Sequence, residues 1–388
     1  MSQWRRLLAD AVLDPTGMPR GVGPLLLGGL PFDARSAPTA LWRDYPQPRL
    51  RLPSHMFTVS NGDFWTTTNV LVQSDSDGGD LALRLSREGC ALWDHAHARY
   101  PVPSSTERVH LHDLVTAEDW KAKVERFAEA VGRGCLDKAV LARAVRAVPA
   151  SRDGRRLPTT EVALERLRAA YPKCFVFAAS LVDRSFLGAT PERLVSLGGG
   201  AVRAGSLAGS RARGADPEED AQLGADLLAD PKDRVEHQIV VQALLEGLAE
   251  PDGDVYAPSE PVLMKLPGVQ HLYTPVTATV RPGQTVLDVV GRLHPTPAVG
   301  GYPRRAAMEM IRDHEGLDRG WFAGPVGWMD SRGEGEFAVA IRSMLLGPDE
   351  AVLFAGCGIV AQSDPESEYA ESVLKLRPAV TALEDSGQ

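Results

Sequence analysis

The sequence predicts a mixed α/β protein, and three observations lead to that fold class. The 388 residues are 44% hydrophobic and 24% charged, which is ordinary for a globular protein. Amphipathic segments with helix-start signals recur along the chain, and short runs rich in Val, Ile and Phe separate them. The length allows two or three domains, although large single α/β domains also reach it.

Composition and charge narrow the classes of function. The net charge is −9, and no long basic cluster with interleaved aromatic residues occurs, which argues against nucleic acid as a partner. The N-terminus lacks the apolar region of a signal peptide, and no apolar run of about 18 residues predicts a membrane span. The four cysteines are scattered without CxxC spacing, which argues against a zinc site or disulfide framework and for a reducing cytoplasm.

Residues 1–112 are the least informative part of the chain. They are rich in Pro, Gly and Arg, and they contain neither a repeat nor a low-complexity tract. Short runs predict strands at 25–30, 57–60, 69–73 and 81–85.

The first clear helix covers residues 116–131. Thr116 can cap it, and Trp120 and Phe127 lie on its apolar stripe. The run at 136–149 is rich in Val, Leu and Ala and predicts a strand, with Lys138 at its start. A lysine at a strand edge is commonly a solvated residue that prevents strand pairing, and this alternative stays open.

The middle of the chain alternates in the same way. Two Asp-Pro pairs predict helix starts, because a capping side chain precedes a proline in the first turn. The predicted elements are a helix at 158–170, a strand at 174–182, strands over 185–209 with a hairpin tip at 198–200, helices at 216–229 and 230–248, a strand at 271–280, a helix at 285–293, a rigid loop at 294–298 and a helix from about 300 to 313.

Three places in this region carry chemistry. Glu192 follows a proline between apolar flanks, and burial there would raise its pKa and keep its carboxyl protonated near neutral pH. The alternative is an exposed acid in a turn. Gly209 and Ser210 form a small-residue turn that can close on a ligand oxygen. Glu236 lies in the first two turns of its helix, where the helix dipole alone would favour it.

The last fifth of the chain combines an anion site with a hard-metal site. A strand at 336–346, a turn at 347–350 and a second strand at 351–355 predict a hairpin. A glycine turn at 356–358 and a helix starting at 363–365 follow. Glu368, Glu371 and Lys375 share one stripe of that helix, and Arg342 lies on the preceding strand. The alternative for Glu371 and Lys375 is an ordinary surface pair worth a few tenths of a kcal/mol.

Eight stretches in order resemble the magnesium-dependent chorismate-utilising enzymes and, within them, the isochorismate synthases. They span about residues 115–383, and residues 25–33 are also similar to the family's N-terminal segment. The stretches are KAVLAR (138–143), GATPER (188–193), LAGSR (207–211), KDRVEH (232–237), HLYT (271–274), HPTPA (294–298), FAVAIR (337–342) and residues 356–371.

The resemblance implies a fold, a domain organisation, a cellular location and an oligomeric state. The fold is one large α/β (α+β) domain of two stacked, mostly antiparallel sheets flanked by helices. Residues 1–112 would be the N-terminal part of the same fold, and residues 113–385 the chorismate-binding catalytic region. The resemblance also implies a cytoplasmic monomer that needs no obligate glutaminase.

It further implies roles for the individual residues. Glu236 and Glu371 would bind Mg²⁺, with Glu368 nearby or acting through water, and the metal would hold the ring carboxylate of chorismate. Arg342 and Lys375 would share the substrate's two carboxylates, in a division that stays open. The remaining contacts to substrate would come from His271 against the ring and its leaving group, and from Gly209, Ser210, Ala298 and Gly356.

The reaction implied is the reversible conversion of chorismate to isochorismate. Water adds at C2 while the C4 hydroxyl leaves and the double bonds shift. Because hydroxide is a poor leaving group, a protonated acid must donate to it, and Glu192 is the candidate. Lys138 would be the base that activates water, a role that requires a lysine pKa well below about 10.4.

Three alternatives remain at this level. A salicylate synthase would form isochorismate and then eliminate pyruvate in the same pocket. An anthranilate or aminodeoxychorismate type of enzyme would add ammonia instead of water. A partner subunit without catalysis is the third alternative, and the intact set of metal ligands, acid and base argues against it. The sequence does not separate siderophore biosynthesis from menaquinone biosynthesis as the pathway.

Overall fold

The computed structural model describes residues 2–13, 18–45, 48–60, 62–97, 108–150, 156–251 and 253–384, apart from the side chains of Ser2, Ala96 and His97. Residue 385, where the predicted catalytic region ends, lies outside these ranges. The helices are α1 (Ser2–Ala9), α2 (Gly78–His97), α3 (Ala117–Gly132), α4 (Thr160–Ala170), α5 (Pro217–Ala229), α6 (Pro231–Leu248), α7 (Val286–Leu293), α8 (Arg304–His314) and α9 (Pro365–Leu383).

Most of the strands fall between these helices. The strands are β1 (Leu25–Gly29), β2 (Arg49–Arg51), β3 (His55–Ser60), β4 (Asp63–Thr68), β5 (Val109–Asp113), β6 (Lys138–Pro149), β7 (Phe175–Leu181), β8 (Arg184–Thr190), β9 (Arg193–Gly198), β10 (Ala201–Ala212), β11 (Val255–Tyr256), β12 (Val262–Leu266), β13 (Val269–Thr279), β14 (Gly301–Tyr302), β15 (Pro325–Asp330), β16 (Gly335–Val339), β17 (Ser343–Leu346) and β18 (Ala351–Ile359).

The strands form two large sheets and one small one. The nine-stranded sheet has the order β11-β13-β10-β9-β16-β15-β1-β2, with β12 also paired to β13. The seven-stranded sheet has the order β14-β6-β18-β17-β8-β7, with β5 also paired to β6. Strands β3 and β4 pair with each other. Every pairing within the described ranges is antiparallel, so the predicted fold class is confirmed.

Side-chain caps begin the helices where the sequence predicts them. Thr116 Oγ1 accepts from the Asp119 N–H, and Asp230 accepts from the amides of Lys232 and Asp233. Thr285 and Asp288 form a reciprocal capping box at α7. These local signals are strong, and the predicted helices from α3 to α9 are all present.

Two of the strands predicted in the N-terminal part are wrong. Residues 69–73 form no strand, and residues 81–85 lie inside α2. Apolar runs this short do not distinguish a strand from one face of a helix. The candidates at 25–30 and 57–60 correspond to β1 and β3.

The single strand predicted at 336–346 is also wrong. It is broken into β16, which belongs to the nine-stranded sheet, and β17, which belongs to the seven-stranded sheet. Arg342, between them, has a φ of 54° in the left-handed region. The predicted glycine turn at 356–358 is wrong as well, because these residues continue β18 as extended backbone.

Two apolar clusters hold the layers together. The larger cluster joins both large sheets, through residues such as Leu141, Phe337 and Phe354, and includes the inner faces of α6 and α7. The smaller one lies between the seven-stranded sheet and helices α4 and α9. No helix in the described part of the chain is both long and apolar enough to span a membrane.

Candidate active site

One cavity collects residues from both large sheets. Strands β10 and β13, helix α6 and the loop at 294–300 form part of the wall, and the β16–β17 crossover, β18 and α9 complete it. The crossover matters here, because the break at Arg342 turns the chain from one sheet to the other beside the cavity.

Eleven of the twelve residues singled out in the sequence line this cavity. They are Glu192, Gly209, Ser210, Glu236, His271, Ala298, Arg342, Gly356, Glu368, Glu371 and Lys375.

Lys138 is the twelfth residue, and it lies behind the cavity wall. Its side chain is 1% exposed, and Nζ lies 2.8 Å from Glu236 Oε1. Gly358 leaves room for this pair, because a Cβ there would collide with Glu236 Oε1 and lie 2.7 Å from Lys138 Cε. Lys138 is thus buried and paired rather than solvated at a strand edge.

Four carboxylates face the cavity from two helices, Asp233 and Glu236 from α6 and Glu368 and Glu371 from α9. Burial and repulsion by Glu236 and Asp230 raise the pKa of Asp233 to about 7. Burial and repulsion by Glu371 also raise the pKa of Glu368. These shifts indicate a negative site that a cation would stabilise.

Nearby ammonium groups compensate part of this charge. Lys232 Nζ lies 3.1 Å from Glu368 Oε1, and Ser363 Oγ donates to the same oxygen at 2.7 Å. Burial opposes ionisation of Glu236, but Lys138, above all, outweighs it and lowers the pKa of Glu236. Glu236 is therefore an anion at neutral pH.

The cationic side of the cavity consists of Lys375 and Arg342. Lys375 Nζ lies 2.5 Å from Glu371 Oε1 and donates to the Gly356 carbonyl at 3.0 Å. Burial opposes the charge of Lys375, but the Glu371 carboxylate raises its pKa. Arg342 is 9% exposed, and burial lowers its pKa. An anion would compensate both groups.

His271 is neutral and has one free ring nitrogen. A bulge at Gly209, which has a φ of 77°, brings Ser210 Oγ to 2.8 Å from His271 Nδ1. Burial and the nearby Arg342 and Lys375 lower the pKa of His271 well below its usual value. His271 Nε2 is buried without a partner among the described residues, so it can contact a ligand in the cavity.

Glu192 is a buried acid of the cavity with a raised pKa. It is 5% exposed, as its apolar flanks predict. Burial raises its pKa to about 7, although Lys138, Lys375 and Arg342 favour the anion. Glu192 therefore carries a proton over part of the neutral range, whereas Glu236 does not.

The loop that carries Ala298 is anchored from two sides. Arg319 Nη1 donates to the Val299 carbonyl at 2.8 Å, and Arg319 Nη2 donates to the Val140 carbonyl at 2.7 Å. His294 Nε2 lies 2.9 Å from the Phe32 carbonyl. These bonds position the loop against β6 and against the N-terminal part of the chain.

The sequence reasoning did not single out several residues of the cavity wall, and Lys232, Asp233, Arg319 and Phe322 are among them. Asp233 could have been found, because it precedes Glu236 by three residues and so shares its helix face. Arg319 and Phe322 lie outside every recognised stretch, and only the tertiary fold brings them to the cavity.

The donor atoms fit a hard divalent cation. One ligand atom each from Cys357, Glu368 and Glu371 lie within 4.8 Å of one another. Burial raises the pKa of the Cys357 thiol well above its usual value, so the thiol stays protonated and is a poor ligand. The oxygen donors that remain, together with Glu236 and Asp233, are the kind that Mg²⁺ prefers.

Comparison with known proteins shows which proteins this chain resembles. The chorismate binding enzyme family matches residues 1–384. The "Salicylate biosynthesis isochorismate synthase" of Pseudomonas aeruginosa is 40% identical, and the match covers 98% of this chain and 78% of that protein.

Two solved structures are also similar. A putative 2,3-dihydroxybenzoate-specific isochorismate synthase, DhbC, from Bacillus anthracis has a TM-score of 0.75 and 28% identity, over 98% of this chain and 88% of that one. MenF, the menaquinone-specific isochorismate synthase of Escherichia coli, has a TM-score of 0.75 and 27% identity, over 92% and 78%.

Proposed function

Because this chain belongs to the chorismate-binding enzyme family, we propose that it is an isochorismate synthase, an isomerase that interconverts chorismate and isochorismate. The observation that carries this proposal is the composition of the cavity. A buried Glu192 with a raised pKa shares it with four carboxylates, the buried Arg342 and the half-buried Lys375. A dianion, a divalent cation and a poor leaving group require such a combination.

Mg²⁺ is the cofactor of this proposal. Glu236 and Glu371 are the proposed ligands, and Glu368 and Asp233, which line the same cavity, are proposed to act nearby or through water. When bound, the ion supplies the positive charge that holds the ring carboxylate of chorismate. Lys232 remains ion-paired with Glu368 and so reduces the net negative charge of the four carboxylates.

Glu192 is proposed as the general acid. Its proton goes to the departing C4 hydroxyl, which then leaves as water instead of hydroxide. The apolar flanks that bury Glu192 are what keep this proton in place near pH 7.

Lys138 is proposed as the general base for the water that attacks C2. It must first lose a proton, and its Nζ lies 2.8 Å from Glu236 Oε1. If Glu236 binds the metal, its carboxylate would hold the Lys138 ammonium less strongly. We therefore expect base activity of Lys138 only in the metal-bound enzyme.

Arg342 and Lys375 are proposed to bind the two substrate carboxylates, while neutral His271 packs against the ring. Both cations line the cavity, and no hydrogen bond or ion pair ties the Arg342 guanidinium to another described side chain. Gly209, Ser210, Ala298 and Gly356 complete the proposed contact surface.

The location of the enzyme, its oligomeric state and its need for partners are part of the same proposal. We place it in the cytoplasm as a monomer that adds water without an obligate glutaminase. The three similar proteins described above are all named as isochorismate synthases, although their names specify salicylate, 2,3-dihydroxybenzoate and menaquinone. The activity is thus common to different pathways, of which siderophore and menaquinone biosynthesis are the candidates.

The direct test is incubation of the purified chain with chorismate, in the presence of Mg²⁺ or of EDTA, followed by chromatography of the products. We expect isochorismate in a reversible mixture with chorismate, and only with Mg²⁺. Salicylate and pyruvate would instead indicate a salicylate synthase. Turnover that requires ammonia or a glutaminase would indicate an aminating enzyme, and either result would overturn the proposal.

A further inference from the structure

A second cavity adjoins the proposed active site. Five residues line both cavities, so the two share a wall. They are Pro191, Ser210, Arg342, Glu371 and Lys375.

One stripe of α9 forms a wall of this second cavity. Its residues recur at spacings of three and four, which places them on one helix face. They are Ser367, Ala370, Leu374, Arg377 and Thr381. The turn between β12 and β13, at residues 266–269, also lines the cavity. The cavity is thus a passage beside α9 that leads to Arg342 and Lys375.

The charges along the passage are mainly positive. Arg211, Arg342, Lys375 and Arg377 line it, against the single acid Glu371. The chain as a whole carries a net charge of −9, so it repels anions on average. This passage is a local exception to that repulsion.

Arg377 supplies charge at the outer end of the passage. Arg211 is paired with Asp226 and Asp230, and Lys375 is paired with Glu371. Arg377 is exposed, and no ion pair or hydrogen bond joins its side chain to the residues that the structure describes. It lies six positions beyond Glu371, or about 9 Å along the helix axis.

We propose that this second cavity is the entrance through which the substrate dianion reaches the active site, and that Arg377 attracts the dianion into it. This inference rests on the proposed function, because chorismate carries two carboxylates. From Arg377 the substrate moves to Arg342 and Lys375, which line both cavities.

The expected effect follows from Coulomb's law. One positive charge acting on a dianion at about 10 Å in water changes its local concentration roughly fourfold at low salt. Screening removes most of this effect when the Debye length falls to about 3 Å, near 1 M salt.

The test compares kcat/KM for chorismate in wild type, Arg377→Gln and Arg377→Glu at low and high salt. We expect kcat/KM at low salt to fall about threefold in R377Q and about tenfold in R377E, mostly through KM, and these differences to shrink at high salt. Arg305→Glu is the matched control, because Arg305 is exposed and lines neither cavity. We expect it to behave like wild type.

A second pair of variants tests the passage itself. Ala370→Trp places a large side chain inside it, whereas Val373→Trp adds the same side chain to an exposed position on α9 that lines neither cavity. We expect a loss of kcat/KM of about tenfold or more in A370W alone.

Turnover by wild type distinguishes a failure of the proposed entrance from a failure of the proposed function. If wild type forms isochorismate but the Arg377 and Arg305 variants respond alike to salt, or the two tryptophan variants are equally active, the entrance is refuted and the function stands. If wild type does not turn chorismate over, the proposed function itself fails.

Discussion

At the scale of single residues, the account depends on Glu192 and Lys138. General acid and base groups typically contribute about 10²–10⁴-fold each to a rate. We therefore expect Glu192→Gln and Lys138→Ala to remain folded and to lose nearly all conversion of chorismate, although Lys138→Ala leaves Glu236 without its ion-pair partner and is less stable than wild type. Rates measured under saturating Mg²⁺ test this, with circular dichroism as the control for folding, and a near-wild-type rate in either variant would refute that residue's role.

The raised pKa of Glu192 also has a consequence for stability. Its pKa in the folded protein is about 7, above the usual 4.5, so the stabilisation from its protonated form is complete below pH 4.5 and is lost as the pH rises through 7. Glutamine cannot ionise. We expect Glu192→Gln without metal to gain stability relative to wild type between pH 5 and pH 8, by up to about 3 kcal/mol. Denaturant titrations at the two pH values measure this. If the free energies of unfolding of Glu192→Gln and wild type differ by the same amount at pH 5 and at pH 8, the expectation is contradicted.

Metal binding should release protons, because the pKa of Asp233 is about 7 and that of Glu368 is raised. We expect Mg²⁺ binding at pH 7 to release up to about one proton, and fewer in Asp233→Asn. Glu236→Ala should abolish Mg²⁺-dependent binding of substrate. Calorimetry in buffers of different ionisation enthalpy counts the protons that wild type and Asp233→Asn release. Heats that do not depend on the buffer would contradict the account.

Sequence reasoning reached most residues of the cavity through the eight stretches that resemble the family, whereas local patterns alone indicated only a few of them. It found Glu192 from its apolar flanks and the α9 stripe from helix spacing. It did not find that Lys138 and Glu236 form an ion pair, since that contact joins a strand and a helix about a hundred residues apart. Local patterns contain no information about such contacts.

At the scale of secondary structure elements, the crossover between β16 and β17 matters most to the site. The run at 336–346 alternates like one strand, and nothing local indicates the break at Arg342. Tertiary packing imposes it, because β16 pairs with β9 and β15 whereas β17 pairs with β8 and β18. The helices were easier to predict, because caps and apolar stripes are local signals.

Gly188 on β8 permits the close approach of this crossover. A Cβ at Gly188 would lie 2.8 Å from the Arg342 carbonyl oxygen and 2.8 Å from Ser343 Cβ. We expect Gly188→Ala to lower the free energy of unfolding by about 1–3 kcal/mol, because backbone must move. Gly291→Ala is the control, since a Cβ there meets no atom within 4 Å, and in α7 it should stabilise by up to about 1 kcal/mol. Equal urea midpoints for the two variants would contradict this account.

At the scale of the whole molecule, we propose that residues 1–112 are part of the same fold as the catalytic region. Strands β1 and β2 extend the nine-stranded sheet, and Trp42 stacks on Phe354 in the core. The Phe32 carbonyl contacts His294 in the loop that carries Ala298. This part was hard to predict, because its partners lie hundreds of residues away and its own apolar runs are short.

The central claim is that the cavity adds water to chorismate at C2 while the C4 hydroxyl leaves. The most direct measurement is the mass of isochorismate formed early in the reaction, with Mg²⁺, in water enriched in oxygen-18. The account predicts one heavy oxygen in the product, located at C2, and none when Mg²⁺ is removed by EDTA. Isochorismate without the heavy oxygen would show that the hydroxyl migrates within the substrate, and would contradict the roles proposed for Lys138 and Glu192.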